Sequence, residues 1–90
     1  MIEDWVVWSF PPCKKRIPSS KWTRIKQLLH TRSEVNEAIR AAIAGDEEHY
    51  LEELMDIKHS NETSEREFTP IQVLLKIGDV TAKNAKRGYY

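Results

Sequence analysis

The side chains that most often do chemistry are few in this chain, and their spacing forms no known site. The three histidines, His30, His49 and His59, and the single cysteine, Cys13, match no CxxC, HxxxH or HExxH pattern, so no zinc-type site is predicted. The cations at 14–16 would favour the thiolate form of Cys13. No histidine and acid can be assigned around it as the partners of a nucleophile. We therefore expect neither a metal nor a reactive cysteine.

Acidic residues are dense between positions 46 and 56, where paired carboxylates could act as general acid and base. We interpret this group as a solvated helix face, because charged side chains are mostly exposed in folded proteins. Its members are Asp46, Glu47, Glu48, Glu52, Glu53 and Asp56. The glycines are too scattered to form a phosphate-binding loop. The sequence thus predicts a protein without enzymatic activity and without a cofactor.

Length and composition predict one small intracellular domain. A chain of 90 residues buries a modest core, because the buried fraction rises with chain length. A single cysteine suits a reducing compartment, and no apolar run approaches the roughly 20 residues that span a bilayer. The N-terminal stretch lacks the basic region of a signal peptide. We expect a cytoplasmic or nuclear protein with no membrane partner.

Opposite charges cancel overall but are segregated along the chain. Residues 1–32 hold seven Lys or Arg and two acids. Residues 33–68 hold three Lys or Arg and eleven acids, and residues 69–90 hold four Lys or Arg and one acid. Such segregation can mark a partner surface. Basic ends that pack against an acidic middle would explain it equally well, so both interpretations stay open at this point.

Periodicity predicts a mostly α-helical chain behind an N-terminal arm. Aromatic and β-branched residues at 1–18 indicate a short strand or an extended segment that prolines interrupt. Helices are predicted within 19–56, in three pieces that each have an apolar stripe and a capping residue. The caps are Ser19 or Ser20, Thr31 or Ser33, and Asp46, and the breaks fall after His30 and at Gly45.

The second half is predicted to be a polar loop followed by a second helical hairpin. Residues 57–67 are polar and lack an apolar stripe, which favours a loop. The opening at Thr69-Pro70 makes a strong helix start, and Gly78 would end that helix before a final short one. One domain, 1–90, would thus end in a hairpin at 68–90.

Two stretches of similar pattern close on glycines that lie 33 residues apart, Gly45 and Gly78. At this period the stretch from Thr69, which opens on TPIQ and closes on Gly-Asp, resembles the ankyrin repeat. The earlier copy keeps the closing Gly-Asp but opens on NEAI, as terminal repeats often depart from the pattern. The resemblance covers about one and a half repeats, in residues 33–80. Residues 57–67 lack the loop signature of the ankyrin family.

The ankyrin resemblance implies stacked antiparallel helical hairpins and the binding of another protein without a cofactor. Such a chain could act as an inhibitor or adaptor, for instance one encoded by a virus, and its open flank could close against a second copy as a homodimer. The acidic helix and the loop would face a basic partner, with aromatic residues either as anchors or as core. The predicted partner-binding residues are Trp5, Trp8, Glu48, Tyr50, Glu52 and His59.

The basic segment from Cys13 to Lys26 supports an alternative hypothesis, a nucleic-acid-binding regulator. It places six cations and a tryptophan within fourteen residues, a composition that can bind phosphates and stack a base. The salt dependence of binding distinguishes the two hypotheses. Phosphate binding weakens steeply as the salt concentration rises, whereas binding through an apolar interface weakens only mildly. The residues involved would be Lys14, Lys15, Arg16, Lys21, Trp22 and Arg24.

Overall fold

The chain is helical throughout most of the part that the computed structural model describes, residues 7–12 and 20–88. The prediction of a mostly α-helical protein is confirmed. Residues 7–12 form bends and not the predicted strand, and the remainder of the predicted arm lies outside the described residues. The helices are α1 (Lys21–Ala44), α2 (Glu47–Glu65) and α3 (Pro70–Lys86).

Two compact units share these helices. One unit spans Phe10–Glu67 and carries α1 and α2, and the other carries α3. Within the described ranges, no helix is both long enough and apolar enough to cross a membrane. Every residue of the candidate functional site belongs to the unit with α1 and α2.

Helix α1 begins where the sequence predicts but continues much further. Ser20 caps it, since its Oγ accepts from Thr23 N at 3.2 Å while Ser20 N donates to Thr23 Oγ1 at 3.0 Å. The predicted break after His30, with Thr31 or Ser33 as a new cap, is wrong. Both hydroxyls donate to main-chain carbonyl groups three or four residues earlier in the same helix, which lets them lie inside a continuous helix.

A tight turn joins α1 to α2 at the predicted position. Gly45 has a φ of 72°, in the left-handed region where a side chain would be strained. Its N donates to Ala42 O and the next N, of Asp46, donates to Ala41 O, both at 3.2 Å. The Asp46 carboxylate then accepts from His49 N at 3.1 Å and starts α2. This turn makes α1 and α2 an antiparallel hairpin.

Helix α2 continues to Glu65, so the prediction of a loop at 57–67 is wrong. No glycine or proline interrupts the segment, and its polar side chains find partners inside the helix or against its neighbour. Asn61 Nδ2 donates to Glu65 Oε2 at 2.6 Å, while Ser60 and Glu62 are buried. A segment without an apolar stripe is helical here because the surface that it packs against is polar as well.

Helix α3 starts as predicted, with a capping box formed by Thr69 and Gln72. The predicted helix end at Gly78 is wrong, and residues 68–88 hold one helix and not the predicted second hairpin. Gly78 keeps a negative φ, whereas Gly88, beyond the helix end, has a φ of 83°. A glycine inside a helix lowers its stability by only about 1 kcal/mol, which is too little to stop this helix.

The contact between α1 and α2 consists of small and polar side chains. Ala38 and Ala41, at 6% and 3% exposure, are the buried apolar residues of the described chain. Nearer the start of α1, Gln27 Nε2 donates to Ser60 Oγ at 3.0 Å, and Thr31 Oγ1 lies 2.6 Å from that Ser60 oxygen. The larger apolar side chains of α1 are exposed, and they are Trp22, Ile25, Leu28, Leu29, Val35, Ile39 and Ile43.

Candidate functional site

Three carboxylates from the two helices of the hairpin meet at one point. Glu34 and Glu37 lie one turn apart on α1, so their side chains share a face, and Glu53 comes from α2. One oxygen from each carboxylate lies within 4.8 Å of the other two. Oxygens at such separations can surround a single cation, because Mg²⁺ and Ca²⁺ hold oxygen ligands at roughly 2.0–2.6 Å. We call these three residues the carboxylate cluster.

Glu53 is the buried member of the carboxylate cluster, at 5% exposure. Its Oε2 is buried without a hydrogen-bond donor. Burial raises the pKa of Glu53, contact with the Glu37 carboxyl raises that pKa further, and the hydrogen bond with His49 opposes the rise. Two ionised carboxylates offer only acceptors to each other. A shared proton or a cation would relieve the repulsion between Glu37 and Glu53.

Two histidines support the carboxylate cluster, one from each helix. His49 Nε2 lies 3.0 Å from Glu53 Oε1 on α2, and His30 Nε2 lies 3.4 Å from Glu34 Oε1 on α1. Each pair spans one helical turn, the spacing at which side chains on a helix meet. A hydrogen bond such as the one between His49 and Glu53 orients the carboxylates that bind metal ions in proteins.

A pocket of about 220 Å³ adjoins the carboxylate cluster. Glu34 belongs to both, and Asp56, one turn after Glu53 on α2, lines the pocket as well. The charge of Asp56 is a further reason that the pKa of Glu53 is raised. The remaining lining residues are Gln27, His30, His59, Ser60 and Thr63. The pocket thus has an acidic end at the carboxylate cluster and two imidazoles in its walls.

The residues predicted to bind a protein partner occupy different surroundings. Glu48, Tyr50 and Glu52 are exposed on α2, as a partner surface requires. Trp8 is half-buried, and Trp5 lies outside the described residues. The sixth, the histidine at position 59, stacks on Phe10 and lines the pocket. Their role in partner binding stays a prediction.

The structure describes three of the six residues predicted to bind nucleic acid, Lys21, Trp22 and Arg24. The cations at 14–16 lie outside the described residues. Lys21 Nζ lies 5.9 Å from the centre of the Trp22 ring, which is 70% exposed. Arg24 Nε donates to both carboxylate oxygens of Glu67, at 2.9 and 3.0 Å. One predicted phosphate-binding cation is therefore paired with an acid of the same chain.

Sequence reasoning missed Glu34 and Glu37 and misjudged Glu53. The interpretation of the acids at 46–56 as a solvated face is wrong for Glu53, because its side of α2 packs against α1. A signal was present: the three-residue spacing of Glu53 and Asp56 is repeated by Glu34 and Glu37 on the preceding helix. Residues three apart share a helix face. Two such pairs on antiparallel neighbours can bring carboxylates of both helices close together.

Comparisons with known proteins give no match to the chain among family models, curated proteins or solved structures. The ankyrin resemblance accordingly remains a prediction from the sequence.

Proposed function

We propose that the α1–α2 hairpin binds a hard divalent cation through the carboxylate cluster and uses that cation to hold and hydrolyse a phosphate-bearing small molecule in the adjoining pocket. The observation that carries the proposal is the buried Glu53 carboxylate, whose Oε2 has no hydrogen-bond donor and whose neighbours are Glu34 and Glu37. A buried charge is costly unless it is paired or binds a metal. A divalent cation at this point would offset most of the negative charge of the three carboxylates.

The ligand set favours Mg²⁺ or Mn²⁺. The cluster offers carboxylate oxygens, which suit hard cations, and no thiolate that would select a soft one. The two histidines next to the cluster, His30 and His49, lie against its carboxylate oxygens. Mg²⁺ gives up its water reluctantly and is commonly held by a few carboxylates together with the phosphates of a substrate. The hairpin supplies the carboxylate side of such a site.

The pocket supplies the place for a phosphate-bearing ligand. Glu34 and Asp56 line it at the acidic end, next to the carboxylates that would hold the cation. His30 and His59 line the remaining wall, and a neutral imidazole can donate one hydrogen bond and a charged one two. A volume of about 220 Å³ is smaller than the pockets that enclose drug-sized ligands. The phosphate end of a larger molecule could occupy it.

The reaction class that this arrangement supports is metal-assisted hydrolysis. A bound divalent cation lowers the pKa of a coordinated water and polarises phosphoryl oxygens. The water oxygen would bond to phosphorus while the phosphorus–oxygen bond to the leaving group breaks with its electron pair. The water's proton would pass to the carboxylate of Asp56, which lines the pocket and is not one of the proposed cation ligands. This proposal departs from the sequence-based expectation of a non-enzymatic protein, because that expectation did not include Glu34 and Glu37.

Thermal unfolding of two glutamine variants tests the cation site. We expect Mg²⁺ and Mn²⁺ to raise the unfolding temperature of the wild-type chain, because a ligand that binds only the folded state stabilises it. Glu53→Gln should lose that response. Without added cation it should unfold at a higher temperature than wild type, because glutamine removes the buried charge. Glu52→Gln, an exposed neighbour that loses the same charge, should respond like wild type. Equal responses of all three chains would contradict the proposal.

Phosphate release tests the hydrolytic step. We expect the Mn²⁺-loaded chain to release phosphate or pyrophosphate from some members of a panel of phosphate esters and anhydrides. Chelation by EDTA and the substitution Glu53→Gln should both abolish release, while Glu52→Gln should preserve it. Release that survives EDTA or the loss of Glu53 would indicate a contaminating enzyme and would contradict a role for this site.

A second candidate function is protein–protein interaction, and the exposed apolar side of α1 favours it. Ile39 and Ile43 are 52% and 82% exposed, and they lie well around the helix from the buried Ala38 and Ala41 at 100° per residue. Exposed apolar surface of this kind marks interaction sites. We propose a second copy of the chain as the partner, since a short chain whose described part buries so few apolar residues gains most from pairing. Ankyrin-like stacking of hairpins is one arrangement that such pairing could take.

A further inference from the structure

The segment that precedes α1 is held on α2 by both main-chain groups of a single residue. Phe10 N donates to Glu62 Oε1 at 3.1 Å, and Phe10 O accepts from the guanidinium of Arg66. Glu62 is buried, at 4% exposure, so its hydrogen bond with Phe10 is shielded from water. Because these contacts involve the main chain, they do not depend on the type of side chain at position 10.

The Phe10 side chain makes a separate contact that reaches the pocket. Its ring stacks on the His59 imidazole with 4.7 Å between ring centres and 15° between ring planes. His59 lines the pocket together with Asp56 and Ser60. Nearly parallel aromatic stacking at this distance is favourable beyond the area that it buries. Phe10 therefore limits where the His59 imidazole can lie.

We propose that Phe10 is a positioning residue for ligand binding: by stacking on His59 it holds that imidazole in the pocket wall, where the imidazole donates a hydrogen bond to a phosphate oxygen of the ligand. The inference rests on the proposed function, since it assigns His59 to the same pocket. It adds two residues that lie outside the carboxylate cluster. The acidic end of the pocket holds the cation, and His59 contacts the phosphate from another wall.

The geometry separates the role of the Phe10 ring from the anchoring of its segment. Phe10→Leu retains an apolar side chain and both main-chain hydrogen bonds, so the segment should stay on α2. The substitution removes the stacked ring and leaves His59 free to turn. Loss of a residue that orients a binding group typically costs about tenfold or more in binding or activity. The carboxylate cluster should keep its affinity for the cation.

The experiment compares wild type, Phe10→Leu, Phe10→Tyr and the control Phe68→Leu. Phe68 is an exposed phenylalanine that belongs to the unit with α3 and not to the unit that holds the pocket. Mn²⁺ affinity is measured by calorimetry, and the affinity of the Mn²⁺-loaded chain for inorganic pyrophosphate is then measured in the same way. We expect equal Mn²⁺ affinity in all four chains. Pyrophosphate affinity should fall about tenfold in Phe10→Leu and be restored in Phe10→Tyr.

Two further measurements show that the effect passes through His59. In the Mg²⁺-loaded wild type the His59 ring protons should show a ring-current shift in NMR spectra, and Phe10→Leu should abolish it while the His30 and His49 signals stay in place. In a His59→Gln background, Phe10→Leu should cause no additional loss of pyrophosphate affinity, because residues that act through one contact are not additive.

The outcomes separate this inference from the proposed function. Wild-type chain that binds neither Mn²⁺ nor pyrophosphate would overturn the proposed function and this inference with it. Wild-type chain that binds both, with the same pyrophosphate affinity as Phe10→Leu, would overturn this inference alone. A loss of Mn²⁺ affinity in Phe10→Leu would also overturn it, because the ring would then support the whole hairpin.

Discussion

The ionisation of Glu53 links the geometry of the hairpin to its pH dependence. Its pKa is raised from an ordinary value of 4.5, first by burial and then by Glu37. An acid whose pKa is higher in the folded than in the unfolded chain binds more protons when folded, so stability falls as pH rises between the two values. Without a cation, ionisation of Glu53 therefore lowers the stability of the hairpin as the pH rises above 4.5.

The same raised pKa predicts a pH-dependent affinity for the cation. Metal ions bind ionised carboxylates, so protons compete with them. We expect the Mn²⁺ affinity to fall with decreasing pH while the pH is still above 4.5, the ordinary value, as Glu53 takes up a proton. Calorimetric titrations at several pH values measure this dependence, together with the protons released on binding.

Glu65→Gln is the control for the pH dependence. Burial raises the pKa of Glu65 as well, but Glu65 lies three turns along α2 from Glu53 and outside the carboxylate cluster. We expect the variant to follow the wild-type pH dependence. An affinity that stays constant until the pH approaches 4.5, or a profile that changes in Glu65→Gln, would contradict the assignment to Glu53.

Residue types alone could not distinguish the buried acid from its exposed neighbours. Glu52 and Glu53 are adjacent in the sequence, yet one is exposed and the other is 5% exposed. The difference depends on which side of α2 faces α1. The sequence does not show which side of α2 faces α1, because the contact between the two helices contains Ser60 and Gln27 where apolar residues are expected. The repeated three-residue spacing of the acids was the better guide.

At the level of the helices, two glycines have opposite roles. Gly45 has a φ of 72° and ends α1, whereas Gly78 lies inside α3, where an added Cβ atom would meet no atom from another part of the described chain within 4 Å. We expect Gly78→Ala to stabilise the chain by roughly 0.5–1 kcal/mol, because alanine is the better helix residue. Gly45→Ala should destabilise it by about 1 kcal/mol, since alanine is disfavoured in the left-handed region. Urea unfolding of both variants measures these changes, and equal signs would contradict the end of α1 at Gly45 or the continuity of α3 through Gly78.

The close approach of α1 and α2 gives a second prediction for the helices. Ala41 is 3% exposed and its neighbour Ala42 is exposed. We expect Ala41→Leu to destabilise the chain by about 1–3 kcal/mol, because extra volume in a packed contact forces the neighbouring groups apart. Ala42→Leu adds the same atoms at an exposed position and should change stability by less than about 0.5 kcal/mol. Urea unfolding tests the pair, and similar losses in both variants would contradict the packing.

The sequence predicted helix starts better than helix lengths. Ser20, Asp46 and Thr69 cap helices as predicted, because capping depends on a few adjacent residues. Continuity through His30, through 57–65 and through Gly78 was not predicted. Whether a helix continues past a polar residue or a glycine depends on what packs beside it, which the local sequence does not show.

For the whole molecule, the exposed apolar side of α1 predicts self-association. We expect light scattering to show a dimer of the wild-type chain that is insensitive to salt, because apolar contacts are screened little. Ile43→Glu should shift the equilibrium toward monomer, since Ile43 is 82% exposed and a charge there opposes burial. Ala44→Glu places the same charge about 100° round the helix and should leave the dimer intact. A monomeric wild type, or equal effects of both variants, would contradict the pairing.

If the two helices of the hairpin hold a divalent cation between them, anomalous X-ray scattering from crystals grown with Mn²⁺ will locate that ion. We predict a manganese peak bonded to oxygens of Glu34, Glu37 and Glu53, and no such peak in crystals of Glu53→Gln. A wild-type crystal in which manganese lies elsewhere, or in which the three carboxylates share only protons, would contradict the claim.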